Sequence, residues 1–238
     1  MADTDKQAGE FELPRIYDFP PFFTEQPNLD TYQSQLEQWK DVIMKYCEHH
    51  KVWALSIVGK PINSENNDAE DEFLADDYEL NEIDSLRMTN NSSKSSDFSI
   101  FKNDKIKRTA SNEFIAKIYD YLIEQKSAEW IDPKSRNHGI LIYWHSLEEW
   151  SQLLYDWIDN TGQQGTILTV YELRRGDLAL NREFYGMNYH MMVRVLEKLV
   201  KQGKATIMKD DVQTPLANST ISQSGLQIYT NVLHSRLN

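Results

Sequence analysis

The sequence predicts an α+β protein in which one small unit occurs twice in tandem. Three observations carry that expectation. An order of helix, strand, two helices and paired strands can be read twice along the chain. Short strings recur at matching offsets, Leu36-Glu37-Gln38-Trp39 returning as Leu147-Glu148-Glu149-Trp150 and Leu122 to Ala128 aligning with Leu199 to Ala205. An acidic, polar stretch interrupts the first copy and leaves the pattern intact on both sides of it.

Residues 1–28 precede the first copy. Leu13-Pro14-Arg15-Ile16-Tyr17-Asp18-Phe19-Pro20-Pro21-Phe22-Phe23 alternates proline with aromatics. Proline fixes φ, so the segment is expected to run extended, with little entropy left to lose. Such segments dock in apolar grooves of partner proteins. The competing reading is an ordered arm that covers the core of its own domain.

The first unit is placed at 29–144. Asp30, with Gln33 three residues on, is the expected N-cap of a helix whose apolar positions 36, 39, 43 and 46 share one face. Val52 to Val58 has the β-branched and aromatic content of a strand. Residues 60–98 are then read as a disordered insertion. Within 59–97 eleven acidic residues face three basic ones, so 8 of the 12 net negative charges fall there. Few apolar groups and high like charge do not offset the entropy of ordering a chain. The short Phe73-Leu74 and Tyr78-Glu79-Leu80 pieces are candidate contacts, with a solvated loop as the plainer reading. A second helix follows at Asn112–Gln125, capped by Ser111, with Ile115, Ile118, Tyr119 and Leu122 on one face. Strands at Glu129–Ile131 and Ile140–Trp144 complete a hairpin.

The second unit, 145–238, repeats this plan. Ser146 is the expected N-cap of a helix with Trp150, Leu154 and Trp157 inward and Glu148 and Glu149 in its first turn. A strand is read from Ile167 through Leu173, then a helix at Asn188–Gln202, then strands near Thr206–Met208 and Gly225–Tyr229. Helix, strand, helix, helix and hairpin is the element order of a winged helix. The fold class expected is therefore two tandem winged-helix domains.

Composition excludes several functions. The longest uninterrupted apolar run, Ile140–Trp144, is far too short to span a bilayer. Met1–Glu10 has three acidic residues and no apolar centre, so no secretory leader is expected. One cysteine, Cys47, precludes an internal disulfide framework and a Cys-rich zinc site. Cys47 and His49 point to different sides of a helix end, and no second cluster completes a metal site. Gly162-Gln163-Gln164-Gly165 lacks the lysine of a phosphate-binding loop. His138, His145, His190 and His234 are scattered without catalytic spacing. Neither cofactor nor metal nor catalytic residue is expected. Lys107-Arg108-Thr109-Ala110-Ser111 has the spacing of a basophilic kinase site, although helix capping is the preferred role for Ser111.

A resemblance sharpens this picture. Phe19-Pro20-Pro21-Phe22-Phe23-Thr24, Gln26-Pro27-Asn28, Asp30-Thr31, Gln35-Leu36 and Trp39 are similar to the opening of the small-subunit family of the endosomal sorting complex ESCRT-II, the vacuolar protein-sorting-associated protein 25 family. Glu148-Glu149-Trp150, Thr161-Gly162-Gln163, Thr169-Val170-Tyr171-Glu172-Leu173, Gly176-Asp177, Glu183-Phe184 and Gly186-Met187 carry the resemblance through the second unit.

The resemblance implies two tandem winged helices, two copies of the chain in a Y-shaped complex with two larger subunits, and no catalysis. It also implies recruitment of the first ESCRT-III subunit by the second domain, and sorting of ubiquitinated cargo into multivesicular bodies. A cytoplasmic protein recruited peripherally to endosomes, without membrane insertion, is expected. Pro14, Tyr17, Phe19, Pro20, Pro21, Phe22 and Phe23 become the residues expected to bind the larger subunits, and replacement of Pro20, Pro21, Phe22 and Phe23 by alanine is expected to leave both domains folded. Where Pro-Pro-x-Tyr is common in the family, this chain has Pro14-Arg15-Ile16-Tyr17 and Pro20-Pro21-Phe22-Phe23. For ESCRT-III the expected surface is the strand face bearing Thr169, Tyr171 and Leu173 or its reverse, with Arg174 and Arg175 on a solvated basic loop behind it. The alternative function is nucleic-acid binding. It would use Arg194, Lys198 and Lys201 on the Asn188–Gln202 helix, opposed by Glu197. The first copy offers only Lys117 there, and phosphate binding needs clustered cations.

Overall fold

The computed structural model describes residues 11–62 and 98–208, together with the backbone of 227–230. The chain forms two compact units that meet in sequence at Trp144 and His145. Each is a winged helix. The acidic stretch 63–97, with Phe73, Leu74 and Tyr78–Leu80, lies outside the described residues.

In the first unit, helix α1 spans Leu29–His50. Its N-cap is Asn28, two residues before Asp30. The Asn28 Oδ1 accepts from the backbone N–H groups of Asp30 and Thr31, which have no partner inside the helix. Leu36, Trp39, Val42, Ile43, Tyr46 and Cys47 are buried along one face. The helix ends at Lys51 in the left-handed region, φ 51°.

Strand β1 is only Ala54–Leu55, shorter than the Val52–Val58 strand expected. The chain turns back at Ser56–Gly59. Gly59 has φ +75°, and a Cβ there would stand 2.3 Å from Phe101 Cδ2, so glycine is required twice over. The reversal brings Ile62 N–H onto the Ala54 carbonyl at 2.9 Å and Ser56 N–H onto the Lys60 carbonyl at 2.8 Å. Lys60, Pro61 and Ile62, read from sequence as the start of the disordered insertion, are thus ordered, because backbone bonds to β1 hold them. Phe98, at its far end, is ordered too, stacked on Tyr46 at 5.2 Å. The two feet of the insertion are clasped together. Ile100 N–H donates to the Gly59 carbonyl at 3.1 Å, and Ser99 Oγ donates to the Val58 carbonyl at 2.5 Å.

A small hairpin follows, β2 (Lys102–Asn103) against β3 (Arg108–Thr109). Helix α2 spans Asn112–Glu124 and is capped by Ser111, whose Oγ accepts from Phe114 N–H at 3.2 Å. Strands β4 (Ala128–Trp130) and β5 (Ile140–Ile142) close the wing, and the sheet order is β1-β5-β4, all antiparallel. The central strand buries all three of its side chains. Gly139, at φ +86°, lets the wing approach β1, since a Cβ would lie 2.1 Å from the Leu55 carbonyl oxygen.

The second unit opens with α3, Leu147–Asn160. Ser146 caps it with a reciprocal box. Ser146 Oγ accepts from Glu149 N–H, and Glu149 Oε2 accepts from Ser146 N–H. Those bonds hold the Glu149 carboxyl below its ordinary pKa. Strand β6 is Ile167–Thr169, and α4, Val170–Arg175, takes up directly. Helix α5 (Tyr189–Lys201) packs on α3 and buries Met191, Met192, Val195, Leu196 and Leu199. Strands β7 (Ala205–Met208) and β8 (Gln227–Thr230) give the sheet order β6-β8-β7. Trp39, Trp150 and Trp157 are all core residues. No described helix is long and apolar enough to cross a membrane.

Candidate functional site

The N-terminal arm does not run extended. Arg15–Asp18 and Pro20–Phe23 form two 3-10 turns. Phe19 N–H donates to the Ile16 carbonyl at 3.0 Å and Phe22 N–H to the Phe19 carbonyl at 2.9 Å. Pro20 starts the second turn because its fixed φ suits a helical first position, and no donor is lost there; Pro14 is the extended cap residue before the first.

Tyr17, Phe22 and Phe23 are buried in the first unit's own core. Phe22 stacks on Trp39 with ring centres 4.2 Å apart and planes 12° from parallel. Phe23 and Tyr17 meet Trp39 edge-on at 5.4 and 6.4 Å, geometries that aromatic quadrupoles favour. The polar backbone of the second turn is answered from α1. Trp39 Nε1 donates to the Phe22 carbonyl at 3.1 Å, and the amide of the buried Gln35 lies 2.9 Å from that carbonyl and 2.8 Å from the Thr24 carbonyl. The Tyr17 hydroxyl is shared between the carbonyls of Ile100 and Lys102 at 3.0 and 2.9 Å, and burial pushes its pKa up.

Two ion pairs fasten the arm at its edges. Lys105 Nζ stands 2.5 Å from Asp18 Oδ2 and Lys117 Nζ 2.6 Å from Glu25 Oε1. Hydrogen bonds from Lys105 and Asn103 hold the Asp18 carboxyl below its usual range.

The arm residues named from sequence therefore divide. Tyr17, Phe22 and Phe23 are core, so replacing them removes part of the domain and gives no clean probe of docking. Phe19 is 54% exposed between the two turns. Pro21 is exposed, and Pro14 and Pro20 are half-buried.

The second-unit surface also changes. Thr169–Leu173 is no strand beyond Thr169. Thr169 Oγ1 accepts from Glu172 N–H at 3.1 Å, and Glu172 Oε2 accepts from Thr169 N–H at 2.7 Å. This capping box starts α4 and overrides the β-branched composition. Faces then repeat every three to four residues, not every two. Tyr171 is 53% exposed, while Leu173 is fully buried. Arg174 lies on no solvated loop. It is buried, its Nε donates to the Met187 carbonyl at 2.5 Å, and its guanidinium lies 5.9 Å from the Tyr189 ring centre. Arg175 is half-buried. Charge reversal of this pair thus disturbs the core.

Two residues that the sequence reading passed over join Tyr171 at the surface. Leu178 and Leu180, in and just after the 3-10 turn Asp177–Ala179, are 58% and 54% exposed. Trp157 Nε1 holds the Leu178 carbonyl at 3.2 Å, so the turn is seated on α3.

On α5, Arg194 pairs with Glu197 at 3.5 Å, and Lys198 pairs with Glu148 of α3. Two of the three cations that a phosphate backbone would need are thus already matched to carboxylates. Among the described residues no group of three or more His, Cys, Asp or Glu side chains could hold a metal ion. Cys47 is buried, and desolvation raises its thiol pKa well above the ordinary value.

Comparison with known proteins places these features among relatives. The sequence pattern of the family described as "ESCRT-II complex subunit" matches residues 16–188. Vacuolar protein-sorting-associated protein 25 of Saccharomyces cerevisiae is 32% identical over 205 residues, covering 84% of this chain and 94% of the relative. The Danio rerio protein of that name is 33% identical over 202 residues, with the same coverage of each. Among solved structures, the crystal structure of subunit VPS25 of the endosomal trafficking complex ESCRT-II superposes with a TM-score of 0.68 at 26% identity, covering 92% of this chain and 98% of that one. A chain of the ESCRT-II crystal structure (VPS22/VPS25/VPS36) gives 0.63 at 30% identity, covering 84% and 94%.

Proposed function

The chain belongs to the ESCRT-II complex subunit family, and from that premise we propose that it is a non-enzymatic adaptor. It docks on two larger ESCRT-II subunits, two copies per complex, and recruits the first ESCRT-III subunit, so that ubiquitinated membrane cargo is sorted into multivesicular bodies. It works from the cytoplasm and is recruited peripherally to endosomes. A related chain occurs in a complex described as VPS22/VPS25/VPS36, which supports larger subunits as the partners.

The observation that carries the docking half is Phe19. Its neighbours Tyr17, Phe22 and Phe23 are spent inside the domain, and this ring alone among the arm's described aromatics beyond Phe11 is left mostly in water. The core aromatics hold the two turns rigid and so present Phe19, with Pro14, Pro20 and Pro21, at little entropic cost to binding. Burying one phenylalanine contributes about 1.5–3 kcal/mol.

For the ESCRT-III half, Tyr171, Leu178 and Leu180 form the proposed contact, in place of Leu173 and Arg174. Coexpression with the two larger subunits followed by size-exclusion stoichiometry tests the assignment. Assembly should fail with Phe19→Ala combined with Pro21→Ala and persist with Tyr171→Ser, Leu178→Ser and Leu180→Ser combined, which should lose only ESCRT-III recruitment. Intact assembly in the arm variant would remove the docking claim.

A further inference from the structure

The hairpin before α2 carries a feature that adaptor function leaves unused. Lys107 and Arg108 are exposed. Their neighbours Lys102, Lys105 and Lys117 each pair with a carboxylate, whereas neither Lys107 nor Arg108 does so among the described residues. Lys107 sits at the hairpin turn with φ 53°, and Arg108 opens the two-residue strand β3. Ser111 is exposed as well, three residues after Arg108. Its hydroxyl makes a 3.2 Å cap to Phe114 N–H, at the long end of the hydrogen-bond range.

We propose that Ser111 is a phosphorylation site for a basophilic serine/threonine kinase that reads Arg108 three residues before it and Lys107 four before it. An uncommitted guanidinium is the group that an acidic kinase cleft grips in bidentate fashion. In the transfer, Ser111 Oγ bonds to the γ-phosphorus of ATP as the bond from that phosphorus to the β,γ-bridging oxygen breaks. ADP leaves, and the hydroxyl proton passes to the kinase's catalytic carboxylate. Access requires the exposed start of α2, Ser111 to Glu113, to fray. The leading N–H groups of a helix have no intrahelical acceptor, and Asn112 and Glu113 are exposed, whereas Phe114 and Ile115 behind them are seated in the core. After transfer, the phosphate oxygens lie near those N–H groups, while the Glu113 carboxylate that the Ser111 hydroxyl had met is repelled. Strand β3 packs against the arm turn Pro20–Phe23. The modification therefore places about two negative charges close to the docking arm.

The test incubates the full chain with ATP and a constitutively active calmodulin-dependent protein kinase II, which prefers arginine at the third position before the acceptor. Sites are mapped by mass spectrometry and initial rates compared. Phosphate should appear on Ser111 of the native chain. Arg108→Ala, an exposed change that keeps the cap, should slow labelling at least about tenfold, the loss of one charge-assisted pair. Ser111→Ala should abolish labelling at that position, with circular dichroism confirming that it remains folded. Labelling of heat-denatured chain but not of native chain overturns the proposal. So does Arg108→Ala labelled at the wild-type rate.

Discussion

Truncating Phe22 separates the two roles of the arm. The side chain is 2% exposed and stacked on a tryptophan that is itself fully buried. Phe22→Ala keeps the backbone carbonyl that Trp39 Nε1 and Gln35 hold, so no polar group is orphaned. The loss is transfer free energy, the cavity left against Trp39, and the ring pair. Core Phe→Ala changes cost about 3–5 kcal/mol, of which the aromatic pair accounts for about 0.5–1.5 kcal/mol. Small domains carry about 5–15 kcal/mol in total, so the first unit should lose a large share of its stability. Its melting midpoint should fall by at least about 10 °C on the scaling for small domains. Phe19→Ala on the same arm removes an exposed ring and should move stability by no more than about 0.5 kcal/mol. Urea titration followed by tryptophan fluorescence reads both, because Trp39 reports on the stacked ring. The reasoning fails if Phe22→Ala unfolds at the same urea concentration as Phe19→Ala.

Other expected outcomes follow from single contacts. Gly139→Ala forces a Cβ onto the Leu55 carbonyl at positive φ and should destabilise the first unit by about 1–3 kcal/mol, read by thermal denaturation. Thr169→Ala removes the hydroxyl of the α4 capping box and should cost about 1 kcal/mol, with faster amide exchange over Val170–Arg175. Asp18 has a lowered folded-state pKa, so its contribution is present above the unfolded value and lost as pH falls through the folded one. The melting gap between wild type and Asp18→Asn should therefore be open at neutral pH and close below about pH 4, and a gap that widens in acid would contradict the assigned bonds.

Much of the fold could be read from residue spacing. The 3-4-3 pattern of 36, 39, 43 and 46, and of 147, 150, 154 and 157, marks two helices, and Trp39, Trp150 and Trp157 are buried where that pattern puts them. The Ser111 and Ser146 caps were legible because an N-cap serine acts within three residues of itself. The arm was harder. An aromatic ring destined for a partner's groove and one destined for its own domain's core have the same chemistry, and only the position of Trp39 and Gln35 in space separates Phe22 from Phe19. At 167–173 the β-rich composition concealed a signal that was present, Thr169 followed three residues later by Glu172. Reading that box first would have placed Leu173 and Arg174 inside. The exposure of Leu178 and Leu180 had no local marker, because leucine in a turn looks the same on either side of a surface.

The clasp between Gly59 and Ile100 has a practical consequence. With Val58 bonded to Ser99 and Gly59 to Ile100, the path leaves and re-enters the domain at nearly one place. The distance between the two posts is then set by the domain and not by the length of chain that joins them. Doubling its length costs only about 0.6 kcal/mol of closure entropy, and nothing in β1 or α2 has to move to admit it. A fluorescent protein whose own termini lie close together could be spliced in between residues 62 and 98, giving a tagged subunit with both ends of the chain left native.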